Sequence, residues 1–63
     1  MDMSDTEKII NALKDEYSYW QNTAYKAQKE GNEERTIWYY GKATGIKKSI
    51  ETIEKMKDHG IIL

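Results

Sequence analysis

The chain has 63 residues and a mass of 7.4 kDa, which is room for one small domain over 1–63 and excludes a two-domain enzyme. It has no Cys and one His, which excludes disulfide frameworks, thiolate nucleophiles and the usual zinc patterns. Ten basic residues stand against eleven acidic ones, for a net charge of −1, so the cationic excess of a nucleic-acid binder is missing.

The start, Met1-Asp2-Met3-Ser4-Asp5, is acidic and lacks the basic and apolar regions of a signal peptide. No apolar run approaches the roughly 20 residues that span a bilayer, and the mean hydropathy is −0.92. The expected address is the cytoplasm. Ser4-Asp5-Thr6-Glu7 then fits a capping box, with Ser4 as N-cap and Glu7 at the third helical position. From there Ile10, Leu13, Tyr17, Trp20, Ala24 and Ala27 are spaced 3-4-3-4-3, which predicts an amphipathic helix over about 5–30.

Glu30-Gly31-Asn32-Glu33-Glu34 punctuates the middle of the chain. Gly accepts the left-handed conformation that ends a helix, Asn caps the next one, and acids favour the positive end of its dipole. Tyr39, Ala43, Ile46, Ile50 and Ile53 continue at 4-3-4-3 and predict a second helix over about 33–59. Gly60, after Lys55, Lys57 and His59, suits its end, with Ile61 placed to fold back on Met56 as in a Schellman motif.

So short a turn forces the helices antiparallel. Pairing seam residues whose numbers sum to 63 sets Ala24 against Tyr39, Trp20 against Ala43, Tyr17 against Ile46, Leu13 against Ile50 and Ile10 against Ile53. Two large rings then face alanines, as interdigitating layers require. The expected fold is an all-α, antiparallel two-helix hairpin.

A hairpin this small does not offset its conformational entropy unaided, so a homodimeric four-helix bundle is expected, or else a higher ring. Trp38, Gly41, Gly45, Ser49, Thr52 and Met56 recur beside the second seam. The glycines and Ser49 form a small-residue strip that admits another backbone, and two helical glycines cost about 1 kcal/mol each relative to Ala. Ile9 and Ile61-Ile62-Leu63 add apolar surface. Five Tyr and two Trp crowd the half nearest the turn. Tyr17, Trp20 and Tyr39 belong to the core, whereas Trp38, Tyr19 and Tyr40 cannot all join it and are interface candidates, for self-assembly or for a partner.

Catalytic and metal-binding motifs are missing. Gly41-Lys42-Ala43-Thr44-Gly45 has the wrong order and lies inside a helix, whose bonded amides cannot cradle phosphate. His59 suits a helix C-terminus, and the adjacent Asp15 and Glu16 point in different directions. No catalytic residue, metal or cofactor is expected. Lys42, Lys47 and Lys48, with Tyr25, offer a second possibility: lysines and stacking rings at a subunit interface hold nucleotides or cyclic oligonucleotides.

The segment Trp38-x-x-Gly41-Lys42-Ala43-x-Gly45-Ile46, followed by Ile50-Glu51-x-Ile53, resembles short helical-hairpin accessory proteins of phages and prophages of Gram-positive bacteria. The resemblance covers the half of the chain from Gly31 onward. It implies an interaction protein that binds and disables a host or defence protein in the host cytoplasm. No binding or catalytic residue carries over from it. The alternative expectation is an oligomeric sponge that sequesters a nucleotide signal between subunits.

Overall fold

The computed structural model describes residues 3–62; Met1, Asp2 and Leu63, which belong to the acidic start and the apolar tail, lie outside the described residues. Two helices make up nearly all of it: α1 (Asp5–Lys29) and α2 (Glu33–Asp58). Both begin as the sequence predicts. Ser4 Oγ accepts the Glu7 amide at 3.1 Å, and Asn32 Oδ1 accepts the Arg35 amide at 3.0 Å. The Glu7 carboxylate goes elsewhere than a capping box would send it, across the hairpin to Lys57 Nζ at 3.2 Å.

Both helices end in the same motif. Gly31 and Gly60 have φ of 76° and 73°. The Gly31 and Asn32 amides donate to the Gln28 and Ala27 carbonyls, and the Gly60 and Ile61 amides to the Lys57 and Met56 carbonyls. These are the paired bonds of a Schellman end, which satisfy carbonyls that would otherwise face nothing. The Ile61 backbone folds back on Met56 as expected, but its side chain stays largely exposed.

All eleven seam residues are buried or half-buried, and the fully buried ones are Ile10, Ala24, Ala27, Ala43 and Ile50. Ala24 and Ala43 are shut off almost completely, at 0% and 2% exposure. The cross-hairpin contacts straddle the expected register: Glu7 meets Lys57 and Trp20 meets Lys42, while Lys14–Glu54 and Trp20–Tyr39 reach several residues to either side of it. Trp20 also leans toward the turn and stacks on Tyr39, with ring centres 5.7 Å apart. The result is a slab with principal extents of 44 × 22 × 10 Å, two helices wide and one helix thick. Among the described residues no helix is long and apolar enough to cross a membrane.

Candidate interaction surface

At about 100° per residue, the seam divides each helix into two flanks, so the slab has two broad faces. On the first, α1 places Ile9, Ala12, Glu16, Tyr19 and Thr23, and α2 places Trp38, Lys42, Gly45, Ser49 and Met56. The Trp20 ring emerges here and organises the centre. It meets Tyr19 edge-on at 5.0 Å and Trp38 edge-on at 6.5 Å, and Trp38 in turn lies 5.3 Å from Tyr39. Edge-to-face pairs set the positive rim of one ring against the negative face of another.

Two charged groups at the centre of this face are engaged with the rings, whereas Arg35 lines an open depression with Glu34 and Trp38. Glu16 Oε2 accepts the Trp20 indole N–H at 3.2 Å. Lys42 Nζ lies 4.5 Å from the Trp20 ring centre and 4.2 Å from that of Trp38, a bridge between two aromatic faces. Despite these contacts Tyr19 and Trp38 remain more than half exposed, at 59% and 57%. Beside them a Cβ added to Gly45 would meet no atom within 4 Å. Nothing inside the chain requires a glycine at that position. Ser49 returns its hydroxyl to the Gly45 carbonyl at 3.1 Å and leaves the same stretch of backbone uncovered.

The interface residues expected from the sequence divide between the two faces. Trp38, Gly45, Ser49, Met56 and Tyr19 share the first, with Met56 half-buried. Gly41 lies toward the back of α2, where a Cβ would likewise meet no side chain within 4 Å, and Thr52, within about 20° of Gly45, falls at the rim of the first face. Tyr40 lies on the opposite flank, separated from Trp38 by the seam. Ile37 carries the most exposed large apolar side chain among the described residues and was not expected as a surface feature. As a single apolar residue off the seam, it leaves no periodic signal.

The residues proposed for ligand binding are not gathered at one place within the chain. Lys42 caps the two tryptophans. Lys47 lines an open depression with Lys14, Tyr17, Ile50 and Glu54. Tyr25 is covered on one side by Lys29 Nζ, 4.7 Å from its ring centre, and Lys48 projects into solvent on its own. Gly41–Gly45 lies in the middle of α2, so its amides are used by the helix. His59 is the C-cap of α2. No group of three or more His, Asp or Glu able to hold a metal is formed among the described residues.

Comparison of the chain with protein-family models, with curated proteins and with solved structures found no match.

Proposed function

We propose that this chain is a non-enzymatic interaction protein. It binds and inhibits a host or defence protein through the aromatic-rich end of its hairpin, and works as a homo-oligomer. One observation carries this reading: among the described residues, five of the eight exposed large apolar side chains, Tyr19, Tyr25, Ile37, Trp38 and Tyr40, lie in the half of the slab nearest the turn. Tyrosine and tryptophan supply large, rigid contact area with a polar handle, which is why they dominate the anchors of protein interfaces. The choice of a host or defence protein as partner rests on the likeness of the Trp38–Ile53 segment to phage accessory hairpins.

The sponge reading has less support, because Lys42, Lys47, Lys48 and Tyr25 converge only if another subunit brings them together. The test is expression of the chain in Gram-positive hosts carrying individual defence systems. Restored phage plating in at least one of them, lost in a Tyr40→Ala variant of unchanged helicity and oligomeric state, is the expected result. Unchanged plating across the set, with a nucleotide raising the melting temperature instead, would replace inhibition by sequestration.

A further inference from the structure

We infer that the face bearing Tyr19, Trp38, Gly45 and Ser49 is covered by a second copy of this chain, paired about a two-fold axis parallel to the helices. This deepens the homo-oligomer part of the reading above and rests on it. Domains are built from at least two packed layers, and this hairpin is one layer, 10 Å thick.

The area agrees. The chain exposes 5103 Å², whereas a folded monomer of its mass exposes about 4200 Å². The surplus of about 900 Å² is close to the ~800 Å² that each partner contributes to a standard interface.

The relief of the face indicates which partner fits. The register that joins Glu7 to Lys57 places Tyr19 level with Gly45, the exposed ring on α1 and the open glycine on α2. A two-fold axis parallel to the helices lays α1 of each copy over α2 of the other. Each Tyr19 then falls on Gly45 of the second copy, so one knob and one hole are used twice, as an isologous interface demands. At the centre of the face the charges permit it as well, because Glu16 and Lys42 are engaged with the rings, and Arg35 and Glu34 beside Trp38 fall at its rim near the turn. On the opposite face Glu7, Lys14, Lys47, Glu51, Glu54 and Asp58 would oppose burial.

The two helical glycines provide the test. In an isolated hairpin both sites are open, so a side chain at either should raise helix stability alike. In the pair, Gly45 is covered and Gly41 is not. Light scattering coupled to size exclusion should give twice the 7.4 kDa chain mass for the native chain and for Gly41→Leu. Gly45→Leu should elute as a helical monomer, with its dissociation constant raised at least tenfold. A native chain that stays monomeric at millimolar concentration would overturn the proposal, as would a trimer or larger ring, or a Gly45→Leu variant that pairs as well as Gly41→Leu. A monomer that still restores phage plating would remove the pairing and keep the interaction reading. A dimer without effect on any host would do the reverse.

Discussion

The two faces of the hairpin are cut from the same two helices, yet they are finished differently. The charged face carries the Lys14–Glu54 and Glu7–Lys57 pairs at 3.8 and 3.2 Å, and its long polar side chains need no further partner. The aromatic face carries half-exposed rings, an open glycine and charges spent on the rings themselves. The proposed pairing gives the missing stability of so small a chain a definite location. A surface finished with lysine and glutamate is at rest in solvent, whereas one finished with tryptophan beside glycine leaves apolar area open to water.

Substitutions graded across the two faces test this contrast. The largest effect is expected at the seam between them: Ile50→Ala, at a site only 7% exposed, should cost about 3 kcal/mol and leave the chain largely unfolded by circular dichroism. Next comes Trp38→Glu on the aromatic face. It should lower stability at fixed protein concentration by about 2 kcal/mol, below the loss for a fully buried Trp, and make the urea midpoint independent of concentration. Gly41→Ala, on the back of α2, should raise stability by about 1 kcal/mol. The smallest effect belongs to the charged face. Lys14→Met removes a pair that is about half exposed on both sides and should change stability by less than about 0.5 kcal/mol, an amount that added salt shrinks further. A Lys14 effect as large as that of Trp38 would erase the distinction between the faces.

Much of this architecture is legible in the sequence because it is local. Ser4, Gly31, Asn32 and Gly60 mark the helix ends through backbone bonds that span three to five residues, and the alternation of threes and fours marks the seam. What spacing alone obscured is the side of the seam on which each remaining residue falls. A step of four overshoots a full turn by about 40° and a step of three falls short by about 60°. Gly41 therefore rotates off the strip that Trp38, Gly45, Ser49 and Met56 keep, and Tyr40 crosses to the other flank. Glu7 was legible as a cap but not as the partner of Lys57, fifty residues away, because no local motif encodes a cross-hairpin pair. Ile37 and the gathering of Tyr19, Trp20, Trp38 and Lys42 into one cluster depend on the packed register and become visible only with it.

The placement of that cluster beside the turn also bears on the order in which the hairpin assembles. Trp20 and Tyr39 close a loop of nineteen residues, while Glu7 and Lys57 close one of fifty. The longer closure costs roughly 0.9 kcal/mol more in chain entropy, and it is made by a half-buried ion pair rather than stacked rings. Assembly is therefore expected to nucleate at Gly31 and zip toward the termini, with fraying running the other way. The rings offered to a partner belong to the part of the molecule that forms first and opens last.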